Sequence, residues 1–493
     1  MSVRPRLLPQ LPLLLLAVAV ACLAINSQSL WIDEAQTALK AIPPTLRGWW
    51  HALDYEHNSN MQLPLYMYYI WAWARLFGYS EVALRAANIP FFFLGFFAIA
   101  FFLRRHPRLR SITLLVYCLH PFVWFYLNEA RPYIMQLSGA LLVTGALFEA
   151  LDTGDEPLSA AWWWLFPCGI FILCGSGLLG VPWAIALSIP LCFRPGFWSS
   201  MTRAGRSPLL FFGPALLLLA LYFAWTIEQK IGAGYRSMNL AAIASVFYDQ
   251  VGFIGLGPAR ADLRPSSVFA TGTVSLAPLL PYVIPIALLA LPLAWALFIA
   301  ARQSFGLSRS RLITALCVSI LPAVIIFALG YIRGVRMLGR HLTPLFPFIL
   351  LAQAFAILLL WKNGRPLHRI AAALILFSLT FSSLQLRFNP RHGKDDYRSA
   401  AAVAAAALAQ GKVVWWAASS DGAAYYRLPT VPTDVPGYAR LIGPPPGSTT
   451  PSPDLVVISK PDLTDPDGVV IQYIAARHYR IIDTFPSFTI WSR

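Results

Sequence analysis

Two groups of residues in this chain have the types and spacing for chemistry. The first is the pair Asp33-Glu34 in SLWIDEAQTALKA, which follows closely on the apolar, uncharged stretch 7–25. Adjacent carboxylates at a membrane surface lose hydration, so they either begin a surface helix, with Ser29 or Asp33 as its cap, or serve a site as base or ligand. The second is YIRGVRMLGRH, which carries Arg333, Arg336, Arg340 and His341 directly before another apolar run. Guanidinium groups bind phosphate bidentately, so this loop is a candidate for a lipid phosphate; bulk anionic lipid, or acidic residues elsewhere on the same face, are the plainer partners. A carboxylate base and a cationic phosphate clamp are together what transfer from a phosphate-linked donor to a hydroxyl requires. The hydroxyl needs a base within about 3 Å, and the leaving phosphate needs fixed positive charge or a metal.

The elements that must hold these groups are membrane spans. Hydrophobic residues make up 57% of the 493 positions and charged residues 12%, and the mean hydropathy is +0.60, a composition outside the soluble globular range. By length, the chain holds about eleven spans: the first at 7–25, then 85–103, 111–127, 132–150, 160–178, 179–193, 209–227, 279–300, 311–330, 343–361 and 369–386. The first is not followed by a small-residue cleavage pattern and reads as an anchor. The stretch PLYMYYIWAWARLFG (64–78) is too short and too aromatic to span and reads as an interfacial helix in the first outside loop.

The net charge of +16 does not indicate nucleic acid. Its basic residues cluster between apolar runs: Arg4 and Arg6; Arg104, Arg105, Arg108 and Arg110; Arg194, Arg203 and Arg206; Arg302, Arg309 and Arg311; Lys362, Arg365 and Arg369. With a cytoplasmic N-terminus all five clusters fall inside, as the positive-inside rule requires. Asp33-Glu34, the turn NEARPY (128–133), the arginine loop and everything after about 387 then fall outside. The arginine loop is therefore positive charge on the face that normally avoids it.

Smaller signals surround these. Glu129 and Arg131 sit in the NEARPY turn, either as a salt bridge capping two helices or as substrate contacts. Arg85 stands at the entrance to the second span as a snorkelling anchor or a further contact. His57, beside Asp54 and Glu56, permits a divalent cation site with Asp33 or Glu34, although the spacing matches no metal motif. His120 lies within a span, where a neighbouring helix would satisfy it. The six cysteines all lie in apolar segments and read as core residues.

The tail changes character. After about 390 it reads as helix (DDYRSAAAVAAAALAQ, stopped by Gly411), strand (KVVWWAA), a Pro-rich loop, strand (DLVVIS), a helix near 469–478 and a closing strand pair (YRIIDTF, FTIWSR). This is a small α/β domain with a partly parallel sheet and no nucleotide-binding motif. The domain division expected is 1–386 transmembrane and 387–493 periplasmic.

The order SLWIDEAQTA, LPLYMYYIWAWARLFGYSEVALRAAN, NEARPY, GRHLTPLFPFILLAQA and KDDYRSAAAVAAAAL resembles bacterial glycosyltransferase family 39-like proteins. These are C-type membrane glycosyltransferases, grouped with protein O-mannosyltransferases and the aminoarabinose transferase of lipid A. The resemblance implies an inner-membrane enzyme that takes a sugar from a polyprenyl-phosphate donor on the periplasmic face, with the acidic residue of the first outside loop, here Asp33, as catalytic group and Glu34 as its neighbour. The Pro-Pro-Leu core usual in the interfacial segment is here Gln62-Leu63-Pro64-Leu65, without the first proline. The competing classes are a secondary transporter, which calls for midplane charges and an internal repeat not found here, and a membrane scaffold presenting the tail, which leaves the arginine loop unexplained. Sugar and acceptor are not legible.

Overall fold

The computed structural model describes residues 10–55, 58–229, 240–259, 277–302, 309–432, 438–441 and 452–493. They form two compact units. The first comprises 1–25, 56–69 and 85–392, and the second 26–55, 70–84 and 393–493.

The first unit is helical, as apolar runs free of interior charge require where no water can satisfy the backbone. Seven helices among the described residues are long and apolar enough to cross a membrane: Glu81–Phe102, Tyr133–Asp152, Arg206–Glu228, Leu280–Ala300, Ile313–Arg333, Gly339–Lys362 and Pro366–Phe388. Shorter apolar helices at Leu11–Ala24, Ala160–Gly175 and Gly180–Cys192 stand where further spans were expected. Tyr133–Asp152 is the most enclosed of the spans. Gly139 and Gly169 let it meet Ala160–Gly175 backbone to backbone: a Cβ on Gly139 would stand 2.6 Å from the Leu173 nitrogen, and one on Gly169 2.7 Å from the Leu142 Cβ. Small residues permit such close helix approach in lipid.

The segment expected as one straight span at 111–127 is two helices, Pro107–Leu119 and Pro121–Leu127, bent by 52°. Pro121 cannot donate to the ladder and disfavours a helical residue before it. His120 accordingly leaves the helix at φ −78°, ψ 128°, and its Nδ1 accepts from the Phe122 nitrogen at 3.1 Å, capping the second helix. His120 thus serves its own break. At one end of this unit Arg104 pairs with Glu149, Arg105 with Glu156 at 2.9 Å and His106 with Asp152 at 3.1 Å.

The second unit is built on a six-stranded sheet in the order β2-β3-β1-β4-β6-β5, with β1 Val414–Ala417, β2 Thr430–Val431, β3 Ala439–Leu441, β4 Leu455–Ser459, β5 Arg480–Phe485 and β6 Phe488–Ser492. Strands β2, β3, β1 and β4 are parallel, and β6 returns antiparallel to β4 and β5. Both faces are covered, which explains the unbroken apolar strands VWWA and LVVIS. Val414, Trp416, Leu455 and Val457 point into one core with Tyr397, Ala400 and Phe488. Trp415, Ala417, Val456 and Ile458 point into the other with Val470 and Ile474. The helix Tyr397–Ala409 is capped by Asp396, which accepts from the Ser399 nitrogen at 3.0 Å. It ends where Gly411 turns left-handed at φ +75°. The short strands β2 and β3 lie in the Pro-rich stretch that the sequence alone presents as loop.

Candidate functional site

The helix Ile32–Ala41 carries Asp33 and Glu34 in its first turn, where the helix dipole favours carboxylates. Its N-cap is Trp31, with no side-chain cap bond, so neither Ser29 nor Asp33 caps it. Ser29 is instead tied into the second unit. The Tyr426 hydroxyl accepts from Ser29 Oγ at 3.1 Å and from the Leu30 nitrogen at 2.8 Å, and donates to Glu81 at 3.1 Å. Burial raises the Tyr426 phenol above its ordinary value, with the bonds from Ser29 and Leu30 pulling the other way. Arg398 completes the clasp. Its guanidinium donates to the Ser27 carbonyl and to Glu81, each at 2.6 Å, and its backbone nitrogen donates to Ser29 Oγ at 3.2 Å. Burial opposes the Arg398 charge, and the Glu81 carboxylate outweighs it, so the guanidinium is held above its ordinary value.

The two carboxylates then diverge. Glu34 is fully enclosed and accepts from Lys394 Nζ at 2.9 Å, with the lysine side chain only 9% exposed. Asp33 is partly exposed. Ile32 packs against the core of the sheet, Lys460 lies 5.5 Å over the Trp31 ring, and Gln36 donates to Asp421 at 2.9 Å. The pair expected to act together therefore consists of one accessible carboxylate and one committed to an internal ion pair.

The arginine loop belongs to the first unit. Arg333 ends the helix Arg309–Arg333 and is exposed. Arg336, Arg340 and His341 are partly exposed. The loop then tightens into the 3-10 turn Gly339–Leu345, in which His341 Nδ1 accepts from the Leu338 nitrogen at 3.1 Å and Thr343 Oγ1 donates to the Arg340 carbonyl at 2.7 Å. The fully buried Gln250 fixes it from the helix Leu240–Val251, its amide donating to the Gly339 carbonyl at 3.1 Å and to the Leu342 carbonyl at 2.7 Å. Gly339 is required there, because a Cβ would stand 2.7 Å from the Asp249 Cβ. Sequence reasoning missed Gln250 and Asp249, since one glutamine and one aspartate in an apolar helix carry no motif.

The turn 128–133 forms a third polar group. Glu129, Arg131 and Asn88 are buried. Arg131 donates to Asn60 Oδ1 at 2.7 Å, and Asn88 Nδ2 donates to the Glu129 carbonyl at 2.6 Å. Arg85 is wholly enclosed, as no side chain reaching for a headgroup would be. His57 lies outside the described residues. Among the described residues no three His, Cys, Asp or Glu side chains are grouped to hold a metal ion.

No protein-family profile matches the sequence, and no curated protein does. Solved structures do match. ArnT from Cupriavidus metallidurans in the apo state aligns with 98% of this chain and 97% of its own at a TM-score of 0.52 and 15% identity. The same protein bound to undecaprenyl phosphate aligns with 99% of this chain and 98% of its own at 0.53 and 14% identity. Helical unit and sheet-bearing unit together thus give this chain, over nearly its full length, the fold of ArnT.

Proposed function

We propose that this protein is a multi-pass inner-membrane glycosyltransferase that moves a sugar from a polyprenyl-phosphate donor to an acceptor hydroxyl on the periplasmic side. The observation that carries this reading is the fold, shared over 99% of the chain with a protein crystallised with undecaprenyl phosphate. The arginine loop adds chemistry of this chain's own. Arg340 stands on a turn whose backbone is anchored by Gln250, and Arg336 lies just before that turn, so the Arg340 guanidinium is offered from a fixed frame. Preorganised cations of this kind stabilise charge that develops on a departing phosphate.

Asp33 takes the acceptor proton in this reading. The hydroxyl oxygen then attacks the anomeric carbon, the bond from that carbon to the phosphate oxygen breaks, and the electron pair leaves on the lipid phosphate. The proton passes from Asp33 to solvent. Glu34, enclosed and paired with Lys394, makes no contact with the reacting atoms. No step above depends on a divalent cation.

The test is transfer of a labelled sugar from synthetic polyprenyl-phosphate donor by the purified protein, with mass spectrometry of lipids and glycans from a deletion strain. The expected result is an accumulated polyprenyl-phosphate sugar together with one missing glycoform, which would name donor and acceptor. An unchanged lipid profile and no transfer by wild-type protein would overturn the proposal.

A further inference from the structure

A carboxylate with no exposed surface is costly to keep charged unless it is paired and hydrogen-bonded. Glu34 meets that demand through Lys394, which comes from 360 positions away at the head of the KDDYR segment of the tail. Both ends of the pair are enclosed, 0% and 9% exposed by side chain, so the contact has one geometry. Glu34 sits beside Asp33 in the first turn of Ile32–Ala41, where successive residues are rotated by about 100° around the axis. Turning Glu34 inward to Lys394 therefore turns Asp33 to the neighbouring, more open side, where it is partly exposed.

The rest of the tail segment reinforces this one orientation. Asp395, next to Lys394, bonds Lys460 and accepts from Ser487 Oγ at 2.7 Å. Lys460 in turn covers Trp31, the residue that caps the helix. Arg398, four residues further on, holds Ser27 and Ser29. The helix start itself has no side-chain cap bond.

We propose that Lys394 is a positioning residue for the transfer reaction: by pairing with the buried Glu34 it fixes the rotation of the helix start and so aims the Asp33 carboxylate. The inference rests on Asp33 being the base of the reaction proposed above. It assigns the tail segment a part in catalysis that does not involve touching substrate.

The test is steady-state transfer by full-length protein in detergent, with thermal unfolding followed in parallel. Lys394→Met should lower kcat roughly ten- to a hundredfold while KM for the lipid donor changes less than about threefold, since aim and not donor binding is lost. Lys394→Arg, which keeps the charge and the reach, should recover most of kcat. Lys412→Met, which removes an exposed lysine of the same unit, should leave both parameters as in wild type. Should Lys394→Met fail to fold, Glu34→Gln reads the same contact, because its amide oxygen still accepts from the ammonium. It should fold and lose kcat by an intermediate factor, and Glu34→Gln at wild-type kcat would overturn the proposal. So would wild-type kcat in Lys394→Met, a loss confined to KM, or no rescue by arginine in a folded protein. Wild-type protein that transfers nothing would fail at the earlier step, in the reading of the reaction itself.

Discussion

Replacing Gln250 by leucine tests whether the arginine loop works through its shape or only through its charge. Gln250 is fully buried, and its amide makes two bonds, 3.1 Å to the Gly339 carbonyl and 2.7 Å to the Leu342 carbonyl. Gly339 and Leu342 are themselves buried, so the substitution leaves two enclosed acceptors without this donor. Each such loss costs about 1–3 kcal/mol, or roughly 2–4 kcal/mol for the pair after leucine packing offsets a part. That cost falls on the loop conformation presenting Arg336 and Arg340, not on their charge. If only the formed loop binds, donor affinity falls with the fraction formed, and a cost of about 2–4 kcal/mol corresponds to a ceiling of roughly thirtyfold to nine-hundredfold. The assay is titration of the purified protein with undecaprenyl phosphate, followed by intrinsic tryptophan fluorescence. Ser383→Ala is the comparison, since it removes a bond of 2.7 Å to the Leu119 carbonyl and leaves the loop untouched. Gln250→Leu should weaken binding by tenfold or more, and Ser383→Ala should not. Equal affinities for Gln250→Leu and wild type, with the variant folded, would refute the reasoning.

Arg340→Ala removes a guanidinium that we assign to phosphate, which should cost about 1.5–3 kcal/mol, or roughly tenfold to more than a hundredfold in donor affinity. Arg105→Ala, which breaks an exposed pair with Glu156, should bind as wild type does, and equal losses in the two would mean that the loop attracts lipid in general. Asp33→Asn keeps shape and removes charge, so donor binding should persist while transfer falls by about a hundredfold, the usual scale for a general base; turnover at the wild-type rate would end the catalytic assignment. A reporter active only in the periplasm, fused after residue 387, should be active, and activity of a cytoplasmic reporter there would invert the orientation argued from the basic clusters.

Most of the helical unit was legible because a membrane span is a local property: a run of apolar residues of sufficient length has one way to satisfy its backbone in lipid. The same holds for the tail, where VWWA and LVVIS, flanked by Gly and Pro, announce strands covered on both faces. Local signals failed where a short element depends on its neighbours. Strands β2 and β3, of two and three residues, exist because β1 offers an edge to β3 and β3 in turn offers one to β2, and nothing in their own sequence distinguishes them from the Pro-rich stretch around them. The break at His120 was legible in Pro121 and was outweighed by the apolar run around it.

The chemistry divides along the same line. The sequence by itself determined that carboxylates follow the first span and that arginines precede a later one, since residue type and hydropathy are read in order along the chain. Only the tertiary structure decided which carboxylate is accessible. Asp33 and Glu34 are indistinguishable as neighbours, and their difference comes from Lys394, 360 positions distant. It likewise decided that the first loop segment 26–55 shares a compact unit with the tail, that Arg85 is enclosed, and that Gln250 shapes the loop of Arg336 and Arg340. Each of these is settled by burial, and burial depends on partners that only the folded chain brings within a hydrogen bond's reach.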